Sequence, residues 1–306
     1  MPGRLEGLIA AVHTPMHPDT SLNLAAVDRL AEAMGRSRMR GVFVCGTAGE
    51  GQALTVAERM QVLERWVRVA AKDLLVIAHV GSNCVPDARA LAAHAEKAGA
   101  AAVASVAPSF DTPDRADDLV AFCAAIAEAA PRTPFYYYHL PAKTNLKVQA
   151  AAFFERAIGR IPTLGGIKFT DSNLTDFGDC IALAGAERSA LFGRTEFLLS
   201  GLVLGAHGSI GGPYNFAAPL FVRLTEAFER GDRKEARRLQ DRARRLGTIT
   251  KRFGGLSALK AATAMVGLDC GPVRLPRRRL TPDEITGLRA DLDREGFFEG
   301  DFLARG

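Results

Sequence analysis

From residue 7 onward, short apolar runs rich in β-branched residues alternate with longer segments of helical periodicity. That alternation constrains the fold more than any other feature of the chain. The runs fall at 8–12, 42–45, 75–80, 102–106, 135–138, 166–169, 190–192 and 208–210, and between them lie stretches such as LNLAAVDRLAEAM, TVAERMQVLERWVRVAA and ADDLVAFCAAIAEAA. Strands separated by helices imply a parallel sheet, because each parallel pair needs a crossover connection. Eight such units in about 230 residues match a (β/α)8 barrel, the TIM-barrel architecture. An open doubly wound sheet is the alternative, but no G-x-G-x-x-G follows the first strand. Thr55 and Glu58 have the spacing of a capping box, which predicts a helix start after the second strand. Residues 232–247, 256–266 and 282–294 read as further helices with no strand between them. The expected organisation is therefore a barrel over 1–230 and a C-terminal helical appendage over 231–306, both parts of one domain.

Composition narrows the function classes. The 306 residues are 48% hydrophobic, enough for a large buried core, yet no stretch approaches the roughly eighteen uninterrupted apolar residues of a membrane span. The amino terminus lacks the apolar segment of a secretory signal, which leads us to expect a cytoplasmic protein with no membrane partner. Cysteines 45, 84, 123, 180 and 270 are scattered, with the spacing of neither a zinc motif nor a disulfide framework. The net charge of +5 comes largely from the C-terminal quarter, where 230–245 carry eight Lys or Arg. Those residues are interleaved with Glu235, Leu239, Asp241 and Leu246, the pattern of a solvated helix face, so no nucleic-acid partner is expected.

In a barrel, the C-terminal ends of the strands converge on the face where active sites form. The second strand ends in CGTAGEG, the fifth in FYYYHLP, the sixth carries Lys168 in GGIKFTD, and the seventh ends in FGRTE. Each segment alone also reads as ordinary structure. A glycine-rich turn is often only a turn, Glu50 serves equally as a loop anchor, and a strand lysine often snorkels to water. Alternation along the strand puts Tyr136 and Tyr138 on one face and Tyr137 on the other. Taken together, a buried lysine, a tyrosine and a turn of backbone N–H groups suit Schiff-base chemistry on a 2-oxo acid. A neutral lysine attacks the ketone, a tyrosine moves protons, and a backbone nest holds the carboxylate.

These segments resemble the dihydrodipicolinate synthase and N-acetylneuraminate lyase family of pyruvate-handling class I aldolases. GTAGE is similar to the family's G-S/T-T-G-E, YHLP to its Y-N/H-x-P, and GGIKFTD to its Schiff-base strand; FYYYHLP with KFTDSNLTDFG is most like the animal-type sialic acid lyases. The resemblance implies that Lys168 forms the imine, that Tyr138 is the general acid/base, and that Thr47 relays protons. It implies that the N–H groups of Thr47 and Ala48 bind the carboxylate and that the Ile210 carbonyl approaches the pyruvate unit. The implied substrate-binding set is completed by Lys143, Thr170, Gly193, Arg194, Thr195, Glu196 and Gly212. It further implies a homotetramer that uses no cofactor beyond the covalent imine, binds no metal, and takes as partners a 2-oxo acid and an aldehyde.

Four positions depart from the lyase pattern. Ala48 stands where a threonine is usual, and Thr195-Glu196, preceded by Arg194, where the lyases have Asp-Glu. Gly212 replaces a serine, and Lys143 occupies the place of an apolar residue in the lyases and of an arginine in dihydrodipicolinate synthases. Lys143, Arg194 and Thr195 would make the distal pocket more cationic than sialic acid requires, unless the cations point outward or pair with Glu196. The alternatives within the same chemistry are dihydrodipicolinate synthase and an aldolase or dehydratase of a keto-deoxy sugar diacid. Outside it stand a metal-dependent aldolase, for which the six histidines offer no compelling ligand set, and a non-catalytic metabolite-binding barrel.

Overall fold

The computed structural model describes residues 4–298. Eight strands close a barrel: β1 (Gly7–Ala11), β2 (Gly41–Val44), β3 (Leu75–His79), β4 (Ala102–Val106), β5 (Phe135–His139), β6 (Leu164–Phe169), β7 (Ser189–Phe192) and β8 (Gly208–Gly211). Every pairing is parallel, and β8 returns to β1 through Gly7 opposite Gly208 and Ile9 opposite Ile210. Between the strands run α1 (Ala26–Arg36), α2 (Val56–Val69), α3 (Val85–Ala98), α4 (Ala116–Ala127), the short α5 (Pro141–Thr144), α6 (Ala150–Ala157), α7 (Leu174–Ala184) and α8 (Leu198–Leu204). Four more follow β8: α9 (Tyr214–Glu229), α10 (Arg233–Arg252), α11 (Leu256–Met265) and α12 (Pro282–Arg294).

The expected strands match these within one or two residues, and the differences have local causes. Cys45 leaves β2 because it takes a left-handed φ of 57°, turning the chain into the loop that follows. The capping box at Thr55 is present, with the Thr55 hydroxyl accepting from the Glu58 N–H and the Glu58 carboxylate accepting from the Thr55 N–H. The basic run forms α10, which buries Ala236, Leu239, Ala243, Leu246 and Ile249 and turns its arginines outward, several toward Glu235, Asp241 and Glu295.

Side chains divide by strand parity. Ile9, Phe43, Ile77, Ala102, Ala104, Tyr136, Tyr138, Leu191 and Ile210 pack inside the barrel, while Leu8, Val42, Val44, Val103, Tyr137, Ile167 and Phe169 pack outward against the helices. The tyrosines alternate as their spacing predicts. Strand β6 breaks the simple alternation. Phe135 pairs with Leu164, but the next residue, Tyr136, pairs with Gly166, so Gly165 has no partner across the β5–β6 ladder. Leu164 faces the helices, and in a regular strand residue 168 would face them too. The bulge shifts the parity by one, and Lys168, opposite Tyr138, points into the barrel.

Both glycines are required by this geometry. A Cβ on Gly165 would lie 2.7 Å from the Tyr136 ring, and one on Gly166, at φ +151°, would lie 2.1 Å from the Ser189 carbonyl oxygen. Gly166→Ala, clashing with strand backbone, should therefore cost about 3 kcal/mol or more in urea unfolding and suppress activity. Gly165→Ala, meeting a side chain, should cost less; equal and small losses in both would remove the steric basis of the bulge.

Candidate active site

Lys168 is 4% exposed, and its Nζ lies 3.8 Å from the centre of the Tyr138 ring and 4.0 Å from that of Phe43. Among the described residues no carboxylate is within ion-pair distance of it. The two aromatic faces favour the ammonium modestly. Burial opposes it more strongly and holds the pKa well below the ordinary 10.5 of lysine. The shift favours the neutral amine, which is the form that attacks a carbonyl.

Tyr138 is the residue opposite Lys168 on β5, and its hydroxyl lies 3.4 Å from Thr47 Oγ1. Burial raises the phenol's pKa, while the hydroxyls of Thr47 and Thr170 draw it back. Thr170 acts from short range without completing a hydrogen bond of its own. Its position depends on Gly193, where a Cβ would come within 1.9 Å of Thr170 Oγ1.

The loop after β2 is shaped by close approaches. A Cβ on Gly46 would lie 2.5 Å from the Phe43 ring, and one on Gly51 would lie 1.8 Å from the Cys45 carbonyl oxygen. The loop's carbonyls are bound: Thr14 Oγ1 donates to Gly49 O at 2.6 Å, and His13 Nδ1 contacts Ala48 O at 3.1 Å. Its leading N–H groups are not. Among the described residues, the amides of Thr47 and Ala48 have no acceptor, which leaves two donors free at the cavity wall. Glu50 is the loop anchor. At a left-handed φ of 55°, it accepts from Lys260 Nζ on α11 at 2.9 Å and from the Arg274 N–H at 2.8 Å. Its side chain and that of Lys260 are 1% and 2% exposed. Arg274 extends the clamp to Glu58 and to the carbonyls of Thr20 and Ala53.

These groups surround a cavity of two lobes, about 420 and 480 Å³, which share Thr47, Tyr138, Lys143 and Arg277. One lobe contains Ala48, Lys168, Thr170, Gly193, Ile210 and Gly212 from the expected set. Arg194, Thr195 and Glu196 do not line either lobe. Arg194 Nε instead pairs with Glu196 Oε1 at 2.7 Å, the pairing that the adjacent acid makes available, and Thr195 is buried with its carbonyl toward Gln240. Sequence reasoning missed Phe43, whose ring underlies Lys168, and Lys251, Lys260, Arg274 and Arg277, which come from the C-terminal extension. Their only sequence signal was a basic composition shared with a solvated helix.

Removing one member of a buried ion pair costs roughly 3–5 kcal/mol, because the other charge is left uncompensated. Lys260→Met should therefore destabilise by about that much, and Glu50→Gln combined with it should restore part of the loss. Unfolding in urea of the single and double variants measures the coupling; strictly additive losses would show that the pair does not hold the loop.

The sequence profile of the Dihydrodipicolinate synthetase family matches residues 4–295. The chain is 38% identical to the N-acetylneuraminate lyase of Pongo abelii, over 94% of this chain and 92% of that one. It is 39% identical to N-acetylneuraminate lyase A of Xenopus laevis, over 89% and 90% of the two chains. Among solved structures, Proteus mirabilis N-acetylneuraminate lyase superposes with a TM-score of 0.93 at 35% identity, covering 96% of this chain and all 100% of the other. The Aliivibrio salmonicida sialic acid aldolase gives 0.93 at 33% identity, over 96% and 98%.

Proposed function

The chain belongs to the dihydrodipicolinate synthetase family, and from that premise we infer a class I aldolase of the N-acetylneuraminate lyase kind, reversibly cleaving a 2-oxo acid to pyruvate and an aldehyde. The observation that carries the residue roles is the placement of Lys168. It is a buried lysine with a depressed pKa, facing a cavity, beside Tyr138, whose hydroxyl touches that of Thr47 there.

In this reading the N–H groups of Thr47 and Ala48 hold the substrate carboxylate, and the Ile210 carbonyl borders the pyruvate unit. Neutral Lys168 attacks C2, and the Tyr138 phenol gives its proton to the departing C2 hydroxyl, which leaves as water. The products are an iminium and a phenolate. The phenolate takes the proton of the C4 hydroxyl as the C3–C4 bond breaks. The bonding pair neutralises the iminium to an enamine, and the aldehyde departs. Tyr138 then protonates C3, water adds to the renewed iminium, the phenolate accepts that water's proton, and pyruvate leaves Lys168 neutral. Thr47 orients the phenol throughout.

No cofactor beyond the imine enters this cycle. A cytoplasmic homotetramer fits the reading. Among the described residues no helix is long and apolar enough to cross a membrane, and the five cysteines are free thiols. Phe110 and Leu275, 87% and 84% exposed, offer apolar surface that a second subunit would cover. The extension that begins at residue 231 belongs to the same domain on this view, because Lys260 and Arg274 hold the loop that binds the carboxylate.

Borohydride with pyruvate should add one reduced pyruvate to the peptide containing GGIKFTD, and Lys168→Ala should lose both adduct and turnover. Labelling at another lysine would sink the assignment. Tyr138→Phe should still form some imine while turnover falls by about two to four orders of magnitude, the scale of a general acid/base. Tyr137, packed outside the barrel, is the mild control. Adduct formation should also depend on pH. Because the folded pKa of Lys168 is lowered, the protonated, inactive form gives way to the neutral amine earlier than in an ordinary lysine, and the rate should rise with pH along a limb well below 10.5. A limb at the ordinary lysine value would contradict the buried environment.

A further inference from the structure

The cavity mouth holds three cations without partners of their own. Lys143 lies in α5, Lys251 is the penultimate residue of α10, and Arg277 lies between α11 and α12; all three line the lobe that contains Lys168. Among the described residues, none of the three makes an ion pair or a side-chain hydrogen bond. Their neighbours behave differently. Arg252 pairs with Asp291, Arg274 with Glu58 and Arg278 with Glu284. Among the described residues, the one carboxylate on the cavity wall, Glu50, is already taken by Lys260 and the Arg274 amide. Arg252 and Arg278, which line neither lobe, are neutralised, as is Arg274 on the wall of the other lobe, whereas the three side chains that line the lobe with Lys168 are left uncompensated. A concave wall of one sign concentrates ligands of the other.

The substrate's own carboxylate does not account for this charge. In the aldolase reading it is served by the amides of Thr47 and Ala48, which have no acceptor among the described residues. We propose that the cavity selects 2-oxo acids whose chain ends in a second anionic group, a carboxylate or a phosphate, bound by Arg277, Lys251 and Lys143. This rests on the aldolase reading above and extends it to the substrate's far end. A neutral polyhydroxy tail gives these three side chains nothing to neutralise. A partly exposed mouth suits such a group, since long cationic stems can follow tails of different length.

The test compares kcat/KM for pyruvate release from N-acetylneuraminate, from its phosphate ester at the terminal hydroxyl, and from a keto-deoxy sugar diacid. At least one anionic-tailed substrate should exceed N-acetylneuraminate by about tenfold or more, and which one wins separates phosphate from carboxylate recognition. The ratio should shrink severalfold in the combined Arg277→Gln and Lys251→Gln variant. It should also shrink at about 1 M salt, where the screening length is about 3 Å. If N-acetylneuraminate is cleaved as fast or faster while the pyruvate adduct still forms on Lys168, this inference falls and the aldolase reading stands. An anionic preference that survives intact in the double variant also overturns it. Absence of both the adduct and pyruvate release from every substrate overturns the aldolase reading and the inference with it.

Discussion

Lys168 points into the barrel because Gly165 has no partner on the neighbouring strand. A strand alternates its side chains strictly, so one unpaired residue reverses the face of everything after it. Here the reversal takes a lysine from the helix-packed exterior to the interior, between the rings of Phe43 and Tyr138. The chemical consequences follow from that placement. Burial in the interior depresses the ammonium's pKa, and the residue opposite in the ladder is Tyr138, the tyrosine to which we assign proton transfer. Two glycines make the reversal possible, one against an aromatic ring and one against the next strand's backbone.

A second constraint ties the far end of the chain to the same site. The buried pair of Glu50 and Lys260 joins the loop after β2 to α11, and Arg274 adds its amide to the same carboxylate. A buried ion pair seldom adds much net stability over an apolar packing of the same volume, but it tolerates one arrangement only. Its placement beneath the two free amides of Thr47 and Ala48 fixes the loop whose donors face the cavity. The helices after the barrel thus form part of the cavity as well as packing against the helical ring, and they bring Lys251 and Arg277 to its mouth.

Much of this was legible in the sequence, for reasons that differ from residue to residue. Hydrophobic periodicity revealed the eight strands because each is buried on both faces and each is followed by an amphipathic helix. Strand-end position then drew together the segments holding Thr47, Tyr138, Lys168 and Gly193, because closure of a parallel barrel brings those ends to one rim, while Ile210 was singled out only by the family resemblance. The same reasoning placed Arg194 and Glu196 at the rim, but it has no term for side chains that satisfy each other, and they do so at 2.7 Å. It also assigned the basic run after residue 230 to a solvated face. That holds for the arginines of 230–245, while Lys251, beyond that run near the end of α10, turns to the cavity.

The sequence by itself determined the barrel, its strand order and the identity of the lysine and tyrosine at neighbouring strand ends, because these depend on local periodicity and on the order of elements along the chain. Only the tertiary structure decided that Lys168 faces inward, since a bulge is a mismatch between two strands and has no signature in either one alone. It likewise decided the roles of Glu50, Lys260, Arg274 and Arg277. Glu50, Lys260 and Arg274 find partners up to 224 residues away while Arg277 finds none among the described residues, and which charges find partners is set by where the folded chain brings them, a quantity that spacing along the sequence does not contain.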